Sequence, residues 1–122
     1  MHLLVDHIQL AAPAGCETRA REFYGGVLGL RETPKLGRTK QSGGVWFRSG
    51  NVEVHIGVEE NFSPARKAHV AFAADSLDSI LALSERLHKY RYPVRWDEKI
   101  PGMKRFFTED PFGNRIEVLF KE

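Results

Sequence analysis

The chain has 122 residues, with 18 Lys and Arg against 16 Asp and Glu, five His and a single Cys. One domain of this length buries about two-thirds of the surface its unfolded chain exposes, so a core forms without disulfides or a structural metal. A net charge of +2 with no block of like charge excludes the footprint of a nucleic-acid binder; apolar runs of about five residues, where a span needs about twenty, exclude a membrane helix.

The N-terminus does not read as a signal sequence, and lone Cys16 fits a reducing, cytoplasmic compartment. In the first half, Leu4, Ile8 and Leu10 share one parity and His7 and Gln9 the other, which predicts a strand over Leu3 to Leu10 with one face on a core. Ala20, Phe23, Tyr24, Val27 and Leu28 follow at helical spacing, and Gly29 stands at the expected stop. Short strands are predicted at Leu30 to Thr33, Val45 to Arg48 and Val52 to Ile56, the last two joined by Ser49-Gly50-Asn51. A linker, residues 59–66, separates module 1 (1–58) from module 2 (67–122) within a single domain of residues 1–122.

The second half repeats the order. Ala68 to Ala73 reads as a strand, and Asp75-Ser76 caps a helix with apolar residues Leu77, Ile80, Leu81, Leu83 and Leu87. Strands at Tyr92 to Trp96, Arg105 to Thr108 and Arg115 to Phe120 complete it, the last pair joined by Asp110-Pro111-Phe112-Gly113-Asn114. The pattern is βαβββ twice, and the residues themselves repeat. His7-Ile8-Gln9-Leu10 matches His69-Val70-Ala71-Phe72 at an offset of 62, Gly50-Asn51 matches Gly113-Asn114 at 63, and Val52-Glu53-Val54 matches Ile116-Glu117-Val118 at 64.

Strand parity then sorts the polar residues. If Ile8, Leu10, Val70 and Phe72 pack under helices, His7 and His69 turn to the opposite face, as do Glu53, His55 and Glu117 on the last strands. Any half-solvated sheet alternates in this way, so one outward His is ordinarily a wetted side chain; recurrence in both modules singles these out. Imidazole and carboxylate are ligands for zinc, nickel, cobalt, manganese and iron(II), and two His with one or two carboxylates leave positions open for water or substrate. Glu53 and His55 both remain candidates for the fourth corner.

His7-Ile8-Gln9-Leu10, Phe23-Tyr24 with Leu28-Gly29-Leu30, His69-Val70-Ala71-Phe72 and Asp110-Pro111-Phe112-Gly113-Asn114-Arg115-Ile116-Glu117 together resemble the glyoxalase, bleomycin-resistance and extradiol-dioxygenase (vicinal oxygen chelate) superfamily. The resemblance implies an α+β fold in which two βαβββ modules form a U-shaped mixed sheet around a cleft. It implies metal ligands His7, His69 and Glu117, with Glu53 or His55 completing the set, and a homodimer. Because the family holds lyases, epimerases, dioxygenases and antibiotic-sequestering proteins, resemblance alone does not choose the chemistry. Pro13-Ala14-Gly15-Cys16-Glu17 departs from the usual glyoxalase I entry to the first helix, and Gln9 from the hydroxyl residue usual in fosfomycin-modifying relatives.

The expectation is therefore a divalent-metal-dependent lyase or isomerase acting on a small molecule with vicinal oxygens, with Glu117 or Glu53 exchanging a proton. An iron(II) dioxygenase, or a metal-free binding protein of the antibiotic-sequestering type, is the alternative. Gln9, Lys35, Arg38 and Arg66 are candidate substrate contacts, the three cations as anion clamps. Cys16 precedes a helix, where the dipole favours a thiolate, but has no His partner and reads as a small packing residue.

Overall fold

The computed structural model describes residues 1–122, which divide into two compact units, Met1–Pro64 and Ala65–Glu122. Unit 1 runs β1 (His7–Ala12), α1 (Glu17–Ala20), β2 (Arg31–Thr33), β3 (Gly44–Ser49) and β4 (Val52–Val58). The helix continues past α1 as a wider π-helical stretch, Arg21–Val27, and a 3₁₀ turn at Gly37–Gln41 precedes β3. Unit 2 runs β5 (Val70–Ala73), α2 (Leu77–Lys89), β6 (Arg95–Asp97), β7 (Met103–Glu109) and β8 (Arg115–Lys121). Each unit is βαβββ with one four-stranded mixed sheet, ordered β1-β4-β3-β2 and β5-β8-β7-β6. In each, the first strand is parallel to the last because a helical crossover reverses the chain; hairpins make the other pairings antiparallel.

Parity places the cores where the sequence predicts them. Leu10, Val45, Phe47, Val54 and Ile56 are buried on one face of the first sheet with Phe23, Tyr24 and Val27. In unit 2, Phe106, Ile116 and Val118 are buried, as are Ile80 and Leu87 of α2. Full burial of each large side chain contributes roughly 1.5–3 kcal/mol, so these faces dominate the stability of each unit. Ser76 caps α2 by accepting the Ser79 N–H at 3.0 Å.

Several boundaries differ from the sequence reading. β1 begins at His7, and Leu4 is 90% exposed, because residues 1–6 have no neighbouring strand over most of their length. β5 begins at Val70, leaving His69 just before it, and Leu77 and Leu81 lie on the outer side of α2. The last turn of the first helix widens around Gly25-Gly26, where Leu28 N–H donates five residues back to the Phe23 carbonyl. β6 is shortened to Arg95–Asp97.

A close approach ties the helix entry to the sheet. Gly44, at φ +108°, carries its amide to the Glu17 carboxylate at 2.6 Å, and a Cβ there would collide with the Ile56 carbonyl oxygen. Gly44→Ala is expected to destabilise the protein by about 1–3 kcal/mol in denaturant unfolding; a change within about 0.5 kcal/mol would contradict this contact. The Gly44 amide, chiefly, holds the Glu17 carboxyl below its ordinary value of 4.5. A depressed carboxyl stabilises the fold above its unfolded pKa and loses that contribution as pH falls through the folded value. Glu17→Gln should therefore cost on the order of 1 kcal/mol at pH 7, with the gap to wild type closing on acidification below about pH 4.5. A gap that stays constant with pH would count against the charged hydrogen bond.

Candidate functional site

The face opposite each core collects the polar residues. In unit 1, adjacent strands align His7, Glu53 and Arg48 in one row, Gln9, His55 and Trp46 in the next, and Ala11, Gly57 and Gly44 in a third. Arg48 faces Glu53 because the hairpin loop is only Gly50-Asn51, and its Nη2 donates to Glu53 Oε2 at 2.6 Å. Glu53 Oε1 lies 2.9 Å from His55 Nε2. The His55 ring is clamped on both faces, by Trp46 at 3.8 Å and 1° between planes and by His7 at 4.3 Å and 14°. His7 Nδ1 is 2.9 Å from Asp6 Oδ2.

Unit 2 builds a comparable triplet from different register positions. Glu117 Oε1 lies 2.9 Å from His69 Nε2, and Arg105 Nη1 donates to Oε2 at 3.4 Å. The residue opposite Glu117 on β7 is Phe107, whereas Arg105 faces Leu119 and reaches the carboxylate diagonally. Arg105 also donates from Nη2 to Asp97 at 3.3 Å, while its buried Nε has no partner. The Lys99 amide, followed by Arg105, holds the Asp97 carboxyl below its ordinary range. The Phe107 ring lies 4.0 Å from the Arg115 guanidinium, 5.1 Å from that of Arg105, and edge-on to His69.

The ladder corrects one feature of the repeat. His7 is the register partner of Glu53, but the partner of Glu117 is Ala71, so His69 stands two residues earlier along its sheet than His7 does. The drift of the repeat offset from 62 to 64 records this shift. The step of two keeps both His on the polar face while changing which neighbours they meet.

Hydrogen-bond polarity distinguishes the two His–Glu contacts. His69 Nδ1 is 2.9 Å from the Lys67 carbonyl oxygen, which only accepts, so Nδ1 carries the proton. The Nε2 of a neutral ring is then a lone pair facing a carboxylate oxygen at 2.9 Å, and two acceptors hold that distance only with a positive charge between them. A proton or a divalent cation satisfies it. Two donors at about 2.1 Å from an octahedral ion and at right angles lie about 3.0 Å apart, so the pair fits neighbouring ligand positions. A His whose other N–H binds a backbone carbonyl is also the usual support of a metal-ligating imidazole. No three His, Cys, Asp or Glu side chains form a group that could hold an ion; the donors come as pairs.

The turn before β8 explains why Glu117 is so well placed. Asp110 Oδ1 accepts the Phe112 and Asn114 amides and Oδ2 the Asn114 side chain, each at 2.9 Å, while Asn114 Oδ1 accepts the Ala65 N–H. Both residues are buried, so the Asp-Pro-x-Gly-Asn motif acts structurally, by fixing the start of the strand that carries Glu117.

The candidate substrate contacts are dispersed. Gln9 lies across the bare backbone of Gly57, where a Cβ would strike its side-chain amide. Lys35 donates to the Ser42 and Gly43 carbonyls and helps line a cavity of about 280 Å³ with Arg21, Lys40 and Trp46. Arg38 sits on the exposed 3₁₀ turn, and Arg66 pairs with Glu109 at 3.7 Å. Burial, with the neighbouring Glu17 charge, pushes the Cys16 thiol up, as befits a packing residue. Arg48 and Arg105 escaped the sequence reading; the two-residue hairpin loop already implies Arg48 opposite Glu53, but the diagonal reach of Arg105 needs the register.

No helix is long and apolar enough to cross a membrane. Comparison with known proteins gives a consistent picture. The model of the Glyoxalase/Bleomycin resistance protein/Dioxygenase superfamily matches residues 5–118. No curated protein matches in sequence. Among solved structures, a glyoxalase family protein from Bacillus anthracis is 45% identical, with a TM-score of 0.92 and coverage of 100% of this chain and 98% of that one. Lactoylglutathione lyase from Agrobacterium tumefaciens is 22% identical at a TM-score of 0.74, covering 96% and 92%. A fosfomycin resistance protein from Listeria monocytogenes is 16% identical at 0.78, covering 100% and 96%. The family match spans nearly the whole chain, and the protein belongs to the glyoxalase, bleomycin-resistance and dioxygenase superfamily.

Proposed function

We propose that the protein is a divalent-metal-dependent enzyme of the lyase or isomerase type, acting on a small molecule with vicinal oxygens. The observation that carries this reading is the His69 lone pair facing the Glu117 carboxylate at 2.9 Å with its Nδ1 committed to Lys67. His69 and Glu117 are the primary ligands proposed, with His7 and His55 as the candidate ligands of unit 1. A divalent ion bound at His69 and Glu117 would polarise a carbonyl or hydroxyl oxygen of the substrate and stabilise charge developing on it.

The chain's own groups supply the rest. Arg105 holds the second oxygen of Glu117, so that Oε1 is the atom presented. Glu53 and Glu117 are the carboxylates on the two polar faces able to take a proton from carbon beside the polarised oxygen. The half-buried Trp46 gives the polar face of unit 1 an apolar surface for the carbon frame of a small ligand. The same His69–Glu117 contact is satisfied by a proton in a metal-free binding protein, and the two readings separate on metal affinity.

Titration of the purified protein with zinc, nickel, manganese and iron(II) should show stoichiometric binding of at least one ion. His69→Ala should weaken that binding by more than about 100-fold, beyond the usual effect of losing a group that only supports a ligand. Equal and poor binding by wild type and variant would overturn the enzyme reading and leave metal-free sequestration.

A further inference from the structure

His55 and His69 meet their carboxylates through the same atoms, Nε2 and Oε1 at the same 2.9 Å, yet the two contacts have opposite polarity. His69 Nδ1 must donate, since its partner is a backbone carbonyl. His55 Nδ1 makes no hydrogen bond, so the proton of its neutral ring is free to sit on Nε2 and be donated to Glu53. Glu53 is held for that purpose: Arg48 takes its other oxygen at 2.6 Å, and the guanidinium stands directly across the hairpin. Trp46 and His7 sandwich the ring, and His55 is only 5% exposed, so tilting is blocked and the one alternative ring orientation in the same plane is a 180° flip about Cβ–Cγ, which puts Cε1 where Nε2 stands. That flip would forfeit the bond to Glu53.

We propose that the Arg48–Glu53 pair is a positioning device that fixes His55 as the Nε2–H tautomer, leaving its Nδ1 lone pair as the ligating atom, whereas His69 is the Nδ1–H tautomer and ligates through Nε2. Glu53 is then neither a metal ligand nor the proton acceptor, and the latter role falls to Glu117. The ligand assignment rests on the metal-dependent reading given above; the tautomers and the part played by Arg48 and Glu53 do not. The arrangement follows the general pattern in which a carboxylate sets the orientation of a ligating imidazole. Here a guanidinium in turn sets the carboxylate.

Long-range proton–nitrogen correlation spectra of the metal-free protein, at a pH above the histidine titration range, report the protonated nitrogen of each ring directly. The expected result is a proton on Nε2 for His55 and on Nδ1 for His69. Arg48→Gln and Glu53→Leu should shift His55 to a mixture of tautomers while leaving His69 unchanged. Amide spectra verify the fold of the variants, and the wild-type spectrum is decisive by itself if either fails to fold. His55 protonated on Nδ1, or tautomers unmoved in both folded variants, would overturn the positioning role. Zinc sulfate added to the wild type should shift the unprotonated nitrogens, His69 Nε2 and His55 Nδ1. The expected tautomers with no zinc response would leave the positioning role standing and remove the metal reading.

Discussion

Successive side chains on a strand point to opposite faces, and in this protein that constraint decides what is core and what is chemistry. In each unit the helix covers one face of a four-stranded sheet, so apolar residues of one parity are buried and everything of the other parity is gathered on a second face. His7, Glu53, His55 and Arg48 share that face in unit 1, as do Glu117, Phe107 and Arg105 in unit 2. A slip of one residue in any strand would exchange the two sets, which makes hydrophobic burial the guarantor of the polar geometry.

On that scaffold the two units solve the same problem differently. Each surrounds a carboxylate with one imidazole at Oε1 and one guanidinium at Oε2, although the arginines occupy different rungs and the histidines different segments. Arg48 sits opposite its carboxylate and His55 shares the strand; Arg105 reaches diagonally and His69 approaches from the neighbouring segment. The aromatic neighbours trade places accordingly, with Trp46 stacked on a histidine and Phe107 opposite the glutamate. What distinguishes the pairs chemically is the fate of the remaining imidazole nitrogen, which only in His69 is tied to a carbonyl.

Much of this was legible in the sequence, for identifiable reasons. Alternation in Val52-Glu53-Val54-His55-Ile56 and in Ile116-Glu117-Val118 assigns faces without any knowledge of register, because the period of two is local. The short loop at Gly50-Asn51 fixes a hairpin, and the Asp110 to Asn114 motif fixes a turn through side-chain bonds to its own backbone. Ladder register between distant strands was not legible: the match of His7 with His69 looked like equivalence, and only the pairing of Ala71 with Glu117 reveals the two-residue offset. Ring stacking on His55 and the carbonyl partner of His69 depend on rotamers and loop path, which periodicity does not encode. Leu4 shows the reverse failure, a strand-like residue with no strand beside it to make burial worthwhile.

The central claim is that His69 Nε2 and Glu117 Oε1 face each other as acceptors across a position for a divalent cation. Anomalous diffraction from crystals grown with cobalt(II) tests it most directly. The account predicts a strong peak about 2.0–2.3 Å from both atoms. Cobalt bound in solution at full occupancy but absent from that position in the crystal would contradict it.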